Sequence, residues 1–485
     1  MNIIIYKTII SIALVSSFSF SLLASENDLN IYQVIQRVIN NHSSLKISFL
    51  EAEQAELQIY TIKSQLGWML NSSIGLTHDL TGFGTPSDRF DVSSGVSRQL
   101  ESGGTLSLTG GYRYEDSSLS FEPLPNPAHT TRIDLSYRLP LLQGNNNPIY
   151  IQGLISSQAT QQLAKNKWLL ARLSVTEKVK DLFYAMAFTQ AQINNIKKSI
   201  KRGRRTQAYI LNNAKLGLSE EKDKLQVQAQ LDSSLANLRS RQFQWQQQQN
   251  SLNRLILNES NQRITPILLK FENKFSVNKL ITNTTQTHPA YAIAKINIDI
   301  ASSNMLLARD IKEDKLDLIM SAGSRTSDGK NKTSTVSEQD WAGKVSLEYT
   351  HLFDDRGIDS KLSQAKLSKN IAEVDKQRVK NDINYTVRGL VSEIKAAKLS
   401  VMASKNELKS ELLKLQEAEY RFKRGRVDTA QLIRFQNEYS LAELSHINMK
   451  IKLNNRVVSL QLFTGELWEK LSLYPDSSVK QEEQL

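Results

Sequence analysis

Few residues of this sequence are spaced for enzymatic chemistry. The chain has no cysteine, which excludes a thiolate zinc site, a cysteine nucleophile and a disulfide scaffold. Its six histidines lie far apart, and none fits the H-E-x-x-H spacing that binds zinc on a helix. A phosphate-binding G-x-x-x-x-G-K-[ST] loop is also missing from the sequence. We therefore predict no catalytic residue, no cofactor and no metal site, and we interpret His42 and His288 as residues at helix starts.

Two glycines interrupt long stretches that otherwise read as helix. Inside a helix, Gly217 and Gly425 would each cost about 0.5–1 kcal/mol relative to alanine. Each is either a tolerated mid-helix glycine or the left-handed residue at which one helix ends and an antiparallel helix begins. Ser219 and Asp428 follow at positions where they could cap the returning helix.

The first 24 residues read as a secretory signal peptide. An apolar, serine-rich run follows Lys7 and ends at Ala24, and Glu26 and Asp28 come soon after. An uncleaved membrane anchor is the less favoured alternative. The formal net charge of +12 comes from 61 basic and 49 acidic residues mixed along helical faces, which indicates solvated helix surface rather than nucleic-acid binding.

Three segments of the first half recur in the second half in the same order. The segment from Asn40 resembles the one from Gln286, residues 133–144 resemble 345–357, and residues 214–231 resemble 422–439. Each half reads as a helix, strands, a long helix, a glycine and another helix. We therefore predict an internal duplication.

The predicted boundaries follow from this plan. The first repeat, 25–256, has helices over 42–67, 149–216 and 219–256 and strands within 68–139; the second, 288–465, has helices over 288–313, 357–424 and 427–464 and strands within 315–352. A linker covers 257–287 and a tail covers 466–485. The two long helices are each roughly 100 Å at about 1.5 Å per residue. Each must bury its apolar stripe against neighbours from the same chain or from other copies.

Alternating apolar and polar residues predict strands of about ten residues between the helices. Ile133 and Leu135 share one face of a first-half strand, and Val345 and Leu347 share one face of a second-half strand. Such segments are typical of transmembrane barrel strands, and these four residues would then face lipid. A soluble sheet with one face on a core is the alternative from the strands alone. Residues 90–114 add a hairpin, which is either two more barrel strands or part of the fold at the barrel base.

Together these features resemble the TolC-like outer-membrane efflux proteins of Gram-negative bacteria. The resemblance spans residues 28–466 and rests on the duplicated plan and four segments. Y-x-L-P-L-L-x-G and L-F-D-D-R-G close the strand regions, and G-x-x-x-x-x-D and G-x-V-D-x-x-Q-L-I-x-x-Q follow the glycines. The resemblance implies an α+β membrane protein, in which a trimer forms an outer-membrane β-barrel of about 12 strands. A long antiparallel α-helical tunnel continues the barrel across the periplasm. With the additional hairpin the barrel would have about 18 strands.

The resemblance also implies an export channel that is not an enzyme and has no cofactor. Its partners would be two further copies of the chain, a periplasmic adaptor (membrane fusion) protein, an inner-membrane transporter and outer-membrane lipid, without nucleic acid. Small molecules or proteins would pass from the adaptor and transporter to the exterior, as in efflux or type I secretion. The alternative is a periplasmic coiled-coil scaffold or adaptor protein. This alternative explains the helices but gives the alternating strands no role.

In this family the helix turns contact the adaptor and carry the gate. The corresponding turn residues here are Gly217, Ser219, Gly425 and Asp428. Some members narrow the entrance with acidic residues six and nine positions after the second glycine, where this sequence has Gln431 and Arg434. Asp223, six positions after the first glycine, matches an acidic latch position. Arg434 is therefore either a pore-lining residue or part of a solvated helix face.

Overall fold

The computed structural model describes residues 27–80, 86–117, 125–256, 264–268, 276–330 and 334–470. The predicted signal peptide and residues 471–485 of the predicted tail lie outside this part of the chain. Its helices are, in order, α1 (Ile31–Asn41), α2 (Ser43–Ser64), α3 (Pro148–Lys215), α4 (Glu221–Ile256), α5 (Val277–Thr287), α6 (Pro289–Lys312), α7 (Arg356–Lys423), α8 (Thr429–Thr464) and α9 (Glu466–Lys470). Its strands are β1 (Asn27–Asn30), β2 (Trp68–Leu80), β3 (Pro86–Gln99), β4 (Thr105–Ser117), β5 (Ala128–Pro140), β6 (Ile264–Ile267), β7 (Lys315–Lys330) and β8 (Thr335–Thr350).

The longest helices come in two pairs of equal length. Helices α3 and α7 have 68 residues each, and the helices that follow them, α4 and α8, have 36 each. Within these four helices, proline occurs at the first position of α3, where the missing N–H has no intrahelical acceptor in any case. Among the described helices, none is long and apolar enough to cross a membrane.

Several short elements lie where the sequence predicted none. Strand β1 pairs in parallel with β6, with Asn27 opposite Ile264, and α1 follows β1 directly. Strand β6 and helix α5 both lie within the predicted linker 257–287. Helix α5 is rich in Asn and Thr, which have low helix propensity, and packing of Val277, Leu280 and Ile281 against a buried cluster stabilises it instead.

The chain divides into two compact units. The first comprises Met1–Val38, Val179–Lys270 and Ala403–Ile451. Its helices α3 and α4 bury Ile200, Ile210, Val227 and Leu231, and its helices α7 and α8 bury Leu415, Ala418 and Leu432. Phe422 of α7 packs against both clusters, so the two helix pairs share one core in this unit.

The second unit, Ile39–Lys178, Phe271–Met402 and Lys452–Leu485, contains a six-stranded antiparallel sheet. The strand order is β2-β3-β4-β5-β7-β8, and Leu135 of β5 lies opposite Ala322 of β7. The hairpin predicted within 90–114 is β3 and β4, and both strands are full members of the sheet. A separate helical core in this unit contains Val387, Val391 and Ile394 of α7 with Val457 and Leu460 of α8.

Candidate functional site

One face of the six-stranded sheet is apolar and exposed. The four residues predicted to face lipid lie on it: Ile133, Leu135, Val345 and Leu347, between 48% and 73% exposed. The register places them together, because Tyr137 lies opposite Met320 and Met320 lies opposite Val345. Directly opposite residues of antiparallel strands point to the same side of the sheet.

This apolar face continues across all six strands. Its other exposed large hydrophobic side chains include Trp68, Leu70, Ile74, Leu76, Leu108, Tyr112, Met320, Trp341 and Tyr349. A contiguous exposed patch of this kind marks a surface that a membrane or a partner covers.

The opposite face of the sheet is polar and carries ion pairs between strands. On this polar face, Arg113 Nε lies 2.6 Å from Asp91 Oδ1 of the neighbouring strand. Arg138 of β5 pairs with Asp317 of β7, and its guanidinium lies 3.6 Å from Glu348 of β8. Cross-strand pairs of opposite charge contribute about 0.2–1 kcal/mol each. The sheet therefore separates an apolar surface from one that suits water.

Both predicted helix turns have the same backbone geometry. Gly217 has φ +73° and Gly425 has φ +70°, both in the left-handed region. Leu218 N–H donates to Asn213 O at 2.8 Å, and Arg426 N–H donates to Arg421 O at 3.0 Å. These hydrogen bonds end each helix in a Schellman motif, in which a glycine with a left-handed backbone follows the last helical turn. Both residues are therefore turn glycines rather than tolerated mid-helix glycines.

The two turns differ in how they cap the returning helix. Asp428 Oδ1 accepts from Gln431 N–H at 2.6 Å, as an N-cap does. In the first turn, Asp223 Oδ2 accepts from Glu220 N–H at 3.3 Å, and α4 begins at Glu221. The prediction of Ser219 as a cap is wrong, because the helix starts two residues later and the third helical residue supplies the carboxylate.

The gate candidates Asp223, Gln431 and Arg434 lie near the N-terminal ends of the helices that follow the turns. Arg434 is 66% exposed at its side chain, and its Nε lies 3.6 Å from Glu438 Oε1 one helical turn on. Gln431 is exposed and contacts Asp428 through its backbone. Lys222 Nζ lies 2.7 Å from Glu220 Oε2 in the first turn, and the hydrogen bond and charge of Glu220 raise the pKa of Lys222.

A buried polar cluster joins α3 to α8, and no sequence motif marks it. Asn195 Nδ2 donates to Glu443 Oε2 at 2.9 Å and to Ser440 O at 3.1 Å. Lys198 Nζ lies 2.5 Å from Glu443 Oε1, and Arg202 donates to Ser440 Oγ. Burial lowers the pKa of Arg202. Removing one partner of a buried charge pair leaves the other charge uncompensated, so this cluster constrains how α3 packs against α8.

The matched histidines are helix starts, as predicted. His42 is the N-cap residue of α2, and His288 is the N-cap residue of α6. His288 Nδ1 accepts from Ala290 N–H at 3.2 Å, and burial lowers the pKa of His288 to about 4. In the described ranges, no group of three or more His, Asp or Glu side chains could hold a metal ion.

Comparisons with known proteins show which fold this is. No protein-family model matches the sequence. No curated protein matches it either. Among solved structures, the chain is similar to the outer membrane protein VceC of Vibrio cholerae, with a TM-score of 0.66, 12% identity and coverage of 90% of this chain and 96% of VceC.

Two further structures give the same result. The outer-membrane channel OprN matches with a TM-score of 0.66 and 13% identity over 90% of this chain and 89% of OprN. The CmeC outer membrane channel of Campylobacter jejuni matches with a TM-score of 0.64 and 16% identity over 96% of this chain and 94% of CmeC. The chain therefore has the fold of TolC-like outer-membrane channels, and the resemblance predicted from the sequence is confirmed.

Proposed function

We propose that the protein is a trimeric channel of the Gram-negative outer membrane that extends into the periplasm. The observation that carries this proposal is the six-stranded sheet, whose apolar face is exposed while its opposite face carries ion pairs. A barrel places the first face in lipid and the second in an aqueous lumen. The helices that follow the sheet would form the periplasmic tunnel, and three copies would supply its walls.

The internal duplication belongs to the same proposal. Equal lengths of α3 and α7, and of α4 and α8, support it. Further support comes from His42 and His288 at matched N-caps and from Gly217 and Gly425 at matched turns. A duplicated chain in a trimer presents six similar helical hairpins around one axis, which suits a tunnel.

The helix turns at Gly217 and Gly425 are the proposed contact with a periplasmic adaptor. Leu216 and Leu218 flank Gly217 and are 72% and 73% exposed. Exposed leucines at a turn suit an apolar partner surface. Replacing both leucines by serine should weaken capture of the adaptor by at least tenfold without changing trimer yield. Unchanged capture would remove this turn from the contact.

An inner-membrane transporter would supply the energy, because the sequence has no phosphate-binding loop. The channel would export small molecules or proteins. Asp223, Gln431 and Arg434 are the proposed gate or pore-lining residues, since each lies within a few residues of a turn.

Channel activity tests the proposal directly. The protein should appear in the outer-membrane fraction, and the purified protein should produce discrete conductance steps in a planar lipid bilayer. A protein found only in the soluble periplasmic fraction, with no conductance after reconstitution, would contradict the proposal.

A further inference from the structure

A cavity of about 480 Å³ lies between helices α3 and α4, in the first compact unit. Small-molecule sites have volumes of roughly 300–1,000 Å³. Three- and four-residue spacing puts the α4 lining on one helix face: Gln242, Trp245, Gln246, Gln249, Asn250 and Asn253. The α3 lining has the same spacing: Gln190, Ile193 and Lys197. We call this cavity the amide pocket.

The amide pocket differs from the rest of the contact between these two helices. Nearer the turn, α3 buries Ile200 and Ile210 against Val227 and Leu231 of α4. In the amide pocket, five of the six α4 residues carry side-chain amides instead. Burial of apolar side chains is what stabilises packed helices. Packing alone therefore does not explain this lining.

The second long helix pair has an apolar core at the corresponding positions. Counted from the two turn glycines, Trp245 and Gln249 of α4 correspond to Leu453 and Val457 of α8. Val457 belongs to a buried cluster with residues of α7, and Leu453 packs against that cluster. Because the two helix pairs have equal lengths, the polar cavity is a feature of the first pair and not a requirement of the fold.

Two lining residues are buried and held in place by hydrogen bonds. Gln249 is 6% exposed and Asn253 is 5% exposed. Gln249 Nε2 donates to Asn253 Oδ1 at 3.4 Å, and Gln249 Oε1 accepts from Ile264 N–H of β6 at 3.2 Å. Buried amides that are held in this way give the pocket a polar floor of defined shape.

Three further amides lie on the open side of the pocket. Gln242, Gln246 and Asn250 are exposed, and no described residue hydrogen-bonds to their side chains. Each amide offers two N–H donors and an oxygen acceptor. Because a hydroxyl group also both donates and accepts, these amides suit a ligand with many hydroxyl groups.

Trp245 and Lys197 define the rest of the ligand. The Trp245 side chain is half-buried in the lining and places a large apolar ring beside the amides. Lys197 is exposed and is the one charged residue among the described lining residues. The ligand therefore needs an apolar face for the ring and carries no more than a small negative charge. Linked sugar rings meet these conditions, because hydroxyl groups surround each ring while its faces present C–H groups.

We propose that the amide pocket binds an oligosaccharide. From Gln242 to Asn253 the α4 lining extends roughly 16 Å at about 1.5 Å per residue, which accommodates a few linked sugar rings. An extended peptide fits less well, because it needs apolar subsites for its alternate side chains. Ile193 and Trp245 are the apolar residues of the described lining. The inference rests on the proposed periplasmic position of the helices, where it would attach the channel to a glycan such as that of the cell wall.

Calorimetric titration of the purified protein in detergent tests the proposal with three probes of similar length. Short oligomers of N-acetylglucosamine represent acetylated glycans such as that of the cell wall, and short oligomers of glucose represent unacetylated glucans. A peptide of glycine and asparagine represents an extended polyamide chain. We expect saturable binding of at least one sugar, and the stronger sugar identifies the source of the glycan. Binding of the peptide alone, or of no probe, would overturn the proposal.

Two pairs of variants show whether the sugar binds in the amide pocket. Gln246→Ala should weaken binding by about fivefold. Gln247→Ala changes an exposed amide outside the lining, so it is the matched control and should leave the affinity unchanged. Trp245→Leu should weaken binding by about tenfold, and Trp245→Phe should keep part of the affinity because it retains a ring. Helical circular dichroism checks that each variant folds. Equal affinity in the wild type and all four variants would overturn the proposal.

Conductance in a planar bilayer separates this inference from the proposed channel. Normal conductance with no sugar binding would contradict this inference and leave the proposed channel intact. Sugar binding that depends on Trp245, without conductance or an outer-membrane location, would contradict the proposed channel instead.

Discussion

The six-stranded sheet and the two helix turns differ in what stabilises them. In the sheet, Val345 and Leu347 are exposed, so their burial depends on something outside the described chain. In the turns, the backbone groups at Gly217 and Gly425 form hydrogen bonds with carbonyl groups of the helices that they end. Changes in the sheet should therefore act on membrane assembly, whereas changes in the turns should act on the folding of each copy.

The two turns also differ from each other. Their backbones agree, but Leu216 and Leu218 flank the first glycine, while Arg424 and Arg426 flank the second. Arg424 stacks over the Tyr420 ring at 4.1 Å. The two turns thus share their backbone geometry, but they present different side chains to a partner. In the proposed trimer, apolar and cationic turns would alternate around the periplasmic entrance.

The largest expected effect lies in the sheet. Leu347→Arg places a charge on the apolar face, where arginine in mid-bilayer costs about 2–4 kcal/mol. Ser346→Arg places the same charge on the polar face, one residue away. The first variant should strongly reduce the amount of heat-modifiable trimer in the outer membrane, and the second should not. Equal yields would show that the face assignment is wrong.

A smaller effect is expected at the turn glycines. Gly217→Ala and Gly425→Ala should each lower the free energy of unfolding by about 1–2 kcal/mol. In the left-handed backbone conformation, the Cβ of alanine lies too close to the following carbonyl oxygen. Among the described atoms beyond the two chain neighbours, none lies within 4 Å of an added Cβ at either position, so no further clash contributes. The unfolding midpoint, followed by helical circular dichroism, measures the change.

Gly389→Ala is the matched control for the turns. Gly389 lies within α7 with similar open space around an added Cβ, so alanine should stabilise the helix by up to about 1 kcal/mol. The same destabilisation at all three positions would contradict the conformational explanation.

The two turns also differ in the residue that caps the helix after the turn, and this difference can be tested by substitution. Asp428→Ala removes the acceptor for Gln431 N–H and should cost about 1 kcal/mol. Ser219→Ala should leave the unfolding midpoint within about 0.5 kcal/mol of the wild type, because Asp223 satisfies the start of α4. A larger effect of the serine variant would restore Ser219 as the cap.

The smallest effect on stability, and a distinct one on conduction, is expected at Arg434. Its exposed contact with Glu438 is worth less than about 1 kcal/mol. If Arg434 lines the entrance, three copies bring three positive charges towards one axis and favour anions. Arg434→Asp should raise the cation preference and introduce block by divalent cations from the periplasmic side, measured in planar bilayers. Arg434→Gln should give an intermediate preference. Unchanged selectivity in both variants would place Arg434 outside the pore.

The features that the sequence predicts well depend on local patterns. Helices α3 and α7 end two residues before Gly217 and Gly425, where the glycine alone indicates a turn. The two faces of the sheet follow from strict alternation, as in Ile133 and Leu135. Both patterns are visible within one segment of the chain.

The features that it misses depend on distant partners. Asn195 and Glu443 are 248 positions apart, and only the packing of α3 against α8 decides that they meet. Helix α5 is stabilised by residues of α7 and α8 rather than by its own composition. Sequence reasoning misplaces the cap of α4 because both Ser219 and Asp223 suit a helix start, and the choice depends on where the first helical turn begins.

The mass of the purified protein in mild detergent tests the central claim most directly. That claim is that the apolar face of the sheet is covered by lipid in an assembly of three copies. Native mass spectrometry should give a stable particle with three times the mass that the denatured chain has in the same preparation. A stable, folded monomer that retains the sheet under the same conditions would contradict the claim.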